Sequence, residues 1–317
     1  MKRLICAVLV LMLLPVSGAL AAKSKAKTEV KLPKELKLTL TAGKYEAYTQ
    51  SFTGAWESSD PAVANAEMEA NSSKKVRIVG YQPGEATLTL QGKKAANKAV
   101  VHVTVLPDET AENPVPELIQ SVLDIALAEW EEIGEARLPS NTKNNKYLKW
   151  WGAKCGWCGV FTSYCMEKAG VSMDKEGQEN KVKPLGNGDP HSIRVGGVGR
   201  FHDAFVNMER ATRIPRPGYL VIYGQRGKKG SSAYNYEHIA LVSDVEDRGD
   251  GIYRICTVEG NWGQTVKRFS YLYDARNVTH ENMAPLPQEE QTEPQLFHQY
   301  ELHSDRFFIY EFCQTWY

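Results

Sequence analysis

The sequence predicts two domains, an all-β sandwich followed by an α+β domain, and three observations support this division. Short alternating strands without helices occupy residues 28–106, and evenly spaced strands of this kind indicate a small antiparallel sandwich. Residues 107–116 are acidic and contain several prolines, which is typical of a linker. Residues 117–317 begin with helical periodicity and continue with strand patterns, so this part is predicted to be α+β.

The strands of the first domain alternate apolar and polar residues and are separated by turn residues. The clearest alternating runs are 36–40, 75–79, 86–90 and 100–105. Turn signals stand at Gly43, Asp60-Pro61, Pro83-Gly84 and Gly92-Lys93. A strand with one apolar face is half buried, so the polar positions of these runs are expected to face solvent.

Helical patterns open the second domain. In 116–133, apolar residues recur at three- and four-residue spacing, which predicts an amphipathic helix starting near Pro116. A second helix is predicted for 158–169, with Gly170 as its stop. Antiparallel strands are expected after residue 200, and 307–310 is predicted to return as a closing strand in an otherwise unmatched tail.

Residues 1–21 have the pattern of a secretory signal peptide. Lys2 and Arg3 precede an apolar run, and Ala19-Leu20-Ala21 offers the small residues of a cleavage site. A membrane anchor is the competing interpretation, but the run is short for a spanning helix. Removal of Lys2 and Arg3 lowers the basic count from 38 to 36, against 38 acidic residues. A near-neutral mature chain argues against nucleic acid or membrane partners. The signal-peptide pattern predicts a secreted or wall-associated protein, and we expect a monomer.

Five cysteines remain after Cys6 is removed with the signal peptide. An odd number in an exported chain leaves at least one thiol outside any disulfide, and the pairing of the others stays open. Cys155 and Cys158 form a C-x-x-C motif. A redox role would need a thioredoxin-like strand pattern and a zinc site a second ligand pair; because neither is present, no metal or cofactor is predicted.

Cys158, His238 and Glu259 are the residues that point to chemistry. Cys158 falls in the first turn of its predicted helix, where the helix dipole and free amides stabilise a thiolate. A buried structural cysteine, or a disulfide partner of a nearby cysteine, is the alternative. His238 begins an apolar strand. If Val245 pairs with Ile252 across the following hairpin, Glu259 lies directly opposite His238 and can orient it.

Two motifs in the first domain resemble the group 2 bacterial immunoglobulin-like domains. They are Trp56–Ala64, similar to that family's strand and corner, and Val79–Leu88, similar to its hairpin with Pro83-Gly84. The resemblance implies an immunoglobulin-like sandwich that serves as a spacer or an adhesive module. We favour a spacer, with His102 as an ordinary sheet residue.

Residues 116–272 resemble the CHAP amidohydrolases, papain-like cysteine enzymes that cut bacterial peptidoglycan. The resemblance rests on four ordered motifs: Trp157–Cys165, Pro215–Tyr223, Glu237–Val242 and Val258–Asn261. Tyr219 departs from the family pattern, which has aspartate after the glycine. Four motifs in the family's order make a specific resemblance, and the departure affects local structure rather than the reacting groups.

The resemblance implies a role for each matching residue. Cys158 is the nucleophile, His238 the general base, Glu259 the residue that orients the imidazole, and Asn261 an assisting amide. Tyr147 and Trp157 are candidates for lining a substrate groove, with a core position as the alternative. The implied activity is that of a peptidoglycan endopeptidase or N-acetylmuramoyl-L-alanine amidase. A non-catalytic wall-binding protein, and an enzyme acting on a non-wall amide, remain alternatives.

Overall fold

The computed structural model describes residues 30–69, 72–226, 234–277, 281–292 and 307–317. Within them the apolar side chains form two hydrophobic cores, one from the strands of the N-terminal unit and one from the helices and strands of the C-terminal unit. Two cores in one chain are the expected result of two domains.

The signal-peptide prediction for residues 1–21 lies outside the described residues. In the described parts of the chain, every helix is too short or too polar to cross a lipid bilayer.

The described N-terminal residues form seven strands in two facing sheets. The strands are β1 (Glu35–Thr41), β2 (Tyr45–Thr49), β3 (Gly54–Ser58), β4 (Ala64–Met68), β5 (Lys75–Gly80), β6 (Gly84–Gly92) and β7 (Lys98–Leu106). Their orders are β1-β7-β6-β3 and β2-β5-β4. The prediction of a purely antiparallel sandwich is wrong at one edge, because β1 pairs with β7 in parallel. The intervening strands provide the long crossover that a parallel pair requires.

The strand patterns are confirmed, with one instructive exception. Alternate residues of β7 are buried and the others are accessible, as its pattern predicts. In β5, however, every residue after Lys75 is buried, including Arg77. The predicted solvent face of β5 is covered because the C-terminal unit packs against it.

The C-terminal unit combines four helices with a seven-stranded antiparallel sheet in the described residues. The helices are α1 (Glu117–Ile133), α2 (Lys146–Trp151), α3 (Cys158–Ala169) and α4 (Val198–Asn207). The strands are β8 (Ser172–Asp174), β9 (His191–Ile193), β10 (Ala211–Thr212), β11 (Leu220–Arg226), β12 (Tyr234–Asp247), β13 (Ile252–Trp262), β14 (Thr265–Asp274), β15 (Met283–Ala284) and β16 (Phe307–Cys313). The sheet order is β10-β16-β11-β12-β13-β14-β15, and β8 and β9 form a separate parallel pair. Helix α3 packs on β12 and β13, so it brings its first residues to the middle of the sheet.

The helix and tail predictions are largely confirmed. Helix α3 has the predicted bounds and ends where Gly170 adopts the left-handed conformation, at a φ of 88°. Pro116 caps α1 instead of lying in its first turn. Strand β16 is present as predicted, but it lies inside the sheet between β10 and β11 and is buried along its whole length.

The predicted register of the β12–β13 hairpin is wrong. Val245 was expected opposite Ile252 and instead lies opposite Ile255. Near the turn β13 is offset by three residues from the predicted pairing, and a bulge at Ser243 reduces this offset to two residues at Leu241 and Val242. A bulge of one residue cannot be recognised from an apolar pattern, because it changes the pairing without changing the composition.

A buried polar interface joins the two units. The Arg77 guanidinium is 2% exposed, lies 2.8 Å from a Glu67 carboxylate oxygen, and lies 3.9 Å from Glu311 on β16. Arg213 of the C-terminal unit reaches the same Glu67 at 3.2 Å. Tyr45 of the N-terminal unit donates its hydroxyl proton to Glu311 at 2.8 Å. Buried charges need partners of this kind, so each unit supplies counter-charges that the other requires.

Backbone contacts extend this interface to the predicted linker. The Gly43 carbonyl, in the turn between β1 and β2, accepts the Arg213 amide at 2.8 Å. The Arg216 guanidinium donates to the carbonyls of Thr110 and Asn113, the first at 2.7 Å. The segment predicted as a linker is therefore held against the C-terminal unit.

Candidate active site

Cys158 is the first residue of α3 and is almost buried, at 8% exposure. Trp157 caps the helix without a side-chain hydrogen bond, which leaves the first-turn amides for other acceptors. The amides of Gly159 and Ile239 hydrogen-bond the Cys158 sulfur. The positive end of the helix dipole and these two donors favour a negatively charged sulfur.

Two glycines let α3 approach its neighbours closely. A Cβ added to Gly260 of β13 would lie 2.3 Å from the Cβ of Phe161, and one added to Gly159 would lie 2.6 Å from the Gly196 carbonyl oxygen. Only glycine fits such contacts without moving the backbone. Close packing on both sides fixes the start of α3, and therefore Cys158, relative to the sheet.

His238 lies on β12 and is hydrogen-bonded to the Cys158 thiol. Its Nε2 atom is 2.9 Å from Glu259 Oε2. The Trp262 ring packs edge-on against the imidazole, with centroids 5.1 Å apart. The structure thus brings together three of the four predicted catalytic residues in one hydrogen-bonded chain.

The contact between His238 and Glu259 forms although the predicted register is wrong. Leu241 pairs with Val258. One residue further from the turn, Glu259 therefore lies opposite Ala240, which is two residues from His238. Alternate residues of a strand share a face, and diagonal neighbours across an antiparallel pair lie within reach of long side chains. The glutamate therefore reaches the histidine diagonally instead of from the directly opposite position.

The second oxygen of Glu259 binds two hydroxyl groups that the sequence analysis did not single out. Tyr223 donates to Oε1 at 2.8 Å and Thr257 donates to it at 2.6 Å. The Tyr223 and Tyr271 hydroxyls are 2.7 Å apart. Burial, followed by the negative charge of Glu259, holds the pKa of Tyr223 well above its ordinary value, so the phenol keeps the proton that it donates.

Asn261 lies near the end of β13, two residues after Glu259, and has a left-handed backbone with a φ of 66°. Its side-chain nitrogen lies 3.8 Å from the point where a Cβ on Gly156 would stand. The structure places this amide beside the turn that leads into Cys158. Left-handed backbone is more accessible to asparagine than to most residues.

Tyr147 and Trp157 do not line a groove, and this prediction needs correction. Their exposures are 0% and 1%, and their rings stack with centroids 4.9 Å apart. The Tyr147 hydroxyl donates to Glu129 at 2.6 Å. Both rings are core residues at the start of α3, where Tyr147 of α2 packs against Trp157 and Phe161 and hydrogen-bonds Glu129 of α1.

Tyr219, the departure from the family pattern, is also buried. Its hydroxyl accepts a hydrogen bond from the Gln314 amide at 3.2 Å, and its ring packs against Trp316. Burial raises the pKa of Tyr219 to about 12. The phenol therefore ties β11 to the C-terminal residues, which is a structural task.

The pKa shifts of Cys158 and His238 favour an ion pair. Burial alone would raise the pKa of Cys158, but the hydrogen bond and charge of His238 and the two backbone amides lower it. Burial alone would lower the pKa of His238, but its hydrogen bonds to Cys158 and Glu259 raise it to about 10. A thiolate beside an imidazolium is the reactive form of a cysteine nucleophile.

Three other cysteines do not share the lowered pKa of Cys158. Cys155, Cys158, Cys165 and Cys313 form no disulfide with one another. Burial, followed by the charge of Cys158, raises the pKa of the exposed Cys155. Burial also raises the pKa of Cys165 and Cys313. Cys158 is therefore the thiol in this set whose surroundings favour ionisation.

Residues 143–261 match the family model of the CHAP domain. The match spans Cys158, His238 and Glu259 and ends at Asn261, and it confirms the resemblance for this part of the chain. A CHAP domain implies a hydrolase of the amidase or peptidase class, commonly acting on peptidoglycan. The matched residues do not include the sheet-rich N-terminal unit, whose immunoglobulin-like character stays a prediction. A search of curated proteins found no match.

Proposed function

We propose that the protein is a secreted or wall-associated peptidoglycan hydrolase that cleaves an amide bond with Cys158 as its nucleophile. The observation that carries the proposal is the chain of contacts from Cys158 through His238 to Glu259 inside the matched CHAP region. A nucleophile, a base within reach and a group that orients the base are the parts of a thiol hydrolase.

In the acylation step the Cys158 thiolate attacks the amide carbonyl carbon. Because Nε2 of His238 is held by Glu259, Nδ1 is the ring nitrogen that serves the thiol and the leaving group. Nδ1 donates its proton to the departing amine nitrogen as the tetrahedral intermediate collapses to a thioester. Backbone amides at the start of α3 are donors for the oxyanion, an interaction typically worth about 3 kcal/mol of barrier.

In the deacylation step the neutral His238 acts as a base. It takes a proton from a water molecule that attacks the thioester carbonyl, and the acid product leaves as the thiolate is restored. Glu259 stabilises the imidazolium in both steps by accepting the Nε2 proton in a hydrogen bond. Asn261 lies beside the turn before Cys158, and the CHAP resemblance implies an assisting role for its amide.

The CHAP match and the signal-peptide pattern favour peptidoglycan as the substrate. The bond is either a peptide bond of the stem or cross-link, or the junction between N-acetylmuramic acid and L-alanine. The near-neutral charge of the chain gives no reason to expect nucleic acid as a partner.

Digestion of purified peptidoglycan, followed by mass spectrometry of the soluble fragments, tests the proposal. New amino groups without new reducing ends are expected, and the fragment masses distinguish endopeptidase from amidase cleavage. Wild type and Cys158→Ala releasing identical fragments would falsify the proposal. Sedimentation of both proteins with the walls, without any fragments, would instead support the non-catalytic binding alternative.

The rate of hydrolysis is expected to have a bell-shaped pH dependence. As the pH falls through the lowered pKa of Cys158, the thiolate is protonated and activity is lost. As the pH rises through about 10, His238 loses the proton that the leaving group needs. We expect kcat/KM to reach its plateau below the ordinary thiol pKa of about 8.5 and to decline near pH 10. A single rise centred on the ordinary thiol pKa, without an alkaline decline, would contradict the ion pair.

A further inference from the structure

The carboxylate of Glu259 is shared between two sets of partners. Oε2 faces the imidazole of His238 at 2.9 Å, while Oε1 accepts hydrogen bonds from Tyr223 and Thr257. Glu259, Tyr223 and Thr257 are all 0% exposed. A carboxylate buried to this degree keeps its charge only where several donors replace the lost water.

The two hydroxyl groups reach Glu259 from different strands. Thr257 stands two residues before it on β13 and shares its face. Tyr223 lies on β11, directly opposite His238 in the β11–β12 register, so its hydroxyl reaches past β12 to the glutamate. Strand β12, which carries His238, therefore lies between β11 with Tyr223 and β13 with Glu259.

A β-bulge gives Tyr223 this position. The register of β11 against β12 shifts between Tyr223 and Gly224, and the register against β16 shifts between Ile222 and Tyr223. A Cβ on Gly224 would lie 2.3 Å from the Phe308 ring, so a larger residue beside the bulge would displace that ring. Bulges commonly redirect one side chain of a strand.

Tyr223 also contacts the imidazole directly. Its ring stacks on that of His238, with centroids 5.8 Å apart and planes inclined by 30°. Because the single phenolic proton of Tyr223 goes to Glu259, its bond with Tyr271 requires Tyr271 to donate to the Tyr223 oxygen. The phenol is therefore held by both its ring and its hydroxyl.

We propose that Tyr223, supported by Tyr271, is a positioning residue that holds the Glu259 carboxylate turned towards His238. Loss of the phenolic hydroxyl frees one side of the carboxylate to rotate, which weakens its bond to the imidazole. The ion pair of His238 and Cys158 then loses part of its stabilisation. The link to catalysis rests on the proposed hydrolase function, whereas the link to the ionisation of Cys158 rests on the geometry alone.

Titration of the Cys158 thiolate by its absorbance at 240 nm tests the proposal without a substrate. The Tyr223→Phe variant keeps the ring and its packing and removes the hydroxyl, and the same protein carrying Cys158→Ser supplies the baseline. We expect the midpoint to move upward by about one pH unit. A midpoint within about 0.2 unit of the wild type, the error of such a titration, overturns the proposal.

Two further variants separate positioning from packing. Tyr253→Phe removes a phenol from β13 that stacks on Tyr273 instead, and its titration is expected to match the wild type. Tyr271→Phe removes the donor to Tyr223 and is expected to move the midpoint upward by less. If Tyr223→Phe does not fold, the titration of Tyr271→Phe decides instead, and an unchanged midpoint in that variant overturns the proposal.

Kinetics provide a second readout. With peptidoglycan fragments as substrate, Tyr223→Phe is expected to lower kcat roughly tenfold with KM unchanged, because the phenol touches the catalytic chain and not the substrate. An unchanged kcat together with an unchanged titration leaves Tyr223 as a packing residue only. Absence of peptidoglycan cleavage by the wild type contradicts the proposed function, while the thiolate titration still decides the role of Tyr223.

Discussion

Replacement of Cys158 by serine is expected to abolish amide hydrolysis and leave the fold intact. The serine hydroxyl is close in size to the thiol but does not ionise beside His238 at neutral pH, so the attacking anion is lost. Removal of a nucleophile typically costs about 10³-fold or more in kcat. Release of amino groups from purified peptidoglycan measures the rate, and the midpoint of thermal unfolding reports the fold.

Cys155→Ser is the matched control. Cys155 is exposed, lies three residues before Cys158, and completes the C-x-x-C motif. If Cys158 acts alone as the nucleophile, this variant keeps activity within about twofold of the wild type, as expected for a surface substitution. Equal loss of activity in both variants would contradict the hydrolase mechanism and favour chemistry that needs both thiols.

Replacement of Arg77 by methionine is expected to lower the free energy of unfolding by about 3–5 kcal/mol. Arg77 is the cation between Glu67 of the N-terminal unit and Glu311 of the C-terminal unit, and all three are buried. Methionine fills part of the space but removes one of the cations that balance the two buried carboxylates, which leaves Arg213 beside Glu67 and His202 beside Glu311. Urea unfolding, followed by far-UV circular dichroism, measures the change.

Arg254→Met is the control for Arg77→Met. Arg254 also pairs with two carboxylates, Asp244 and Glu246, but those pairs lie on the accessible surface of the β12–β13 hairpin. Pairs of this kind contribute about 0–1 kcal/mol. Equal destabilisation by the two substitutions would show that the interface between the units contributes nothing beyond an ordinary surface pair.

The interface changes how the N-terminal unit is understood. A spacer connected through a linker alone would not share buried ion pairs with the C-terminal unit, as Glu67 and Arg213 do here. His202 of α4 hydrogen-bonds Glu311 at 2.5 Å, and its ring packs against Tyr236, two residues before His238. The buried ion pairs of the N-terminal unit therefore adjoin the strand that carries the candidate catalytic histidine.

Local patterns were sufficient to predict most of the secondary structure. Helix α3 follows from its apolar spacing and from Gly170, and the strands of the N-terminal unit follow from their alternation. The residues Cys158, His238 and Glu259 could be selected because each stands in a distinctive local sequence. All of these signals depend on neighbours along the chain.

Contacts between distant segments could not be predicted in the same way. The burial of Arg77 depends on a surface that the other unit provides, and the burial of Tyr147 on α2 depends on how α1 and α3 pack against it. The bulge at Ser243 changes the register without a recognisable pattern. Tyr223 reaches Glu259 only because β11, β12 and β13 are adjacent, an order that strand patterns do not specify.

Alkylation by iodoacetamide tests directly whether Cys158 is an ionised nucleophile. The rate at each cysteine is measured from pH 4 to pH 9 by peptide mass spectrometry. We expect that Cys158, although nearly buried, reacts first at neutral pH and retains its reactivity well below the ordinary thiol pKa. His238→Ala is expected to abolish this advantage, because the imidazolium that stabilises the thiolate is removed. Preferential labelling of the exposed Cys155, with Cys158 reacting only at alkaline pH, would contradict an ionised nucleophile at the start of α3.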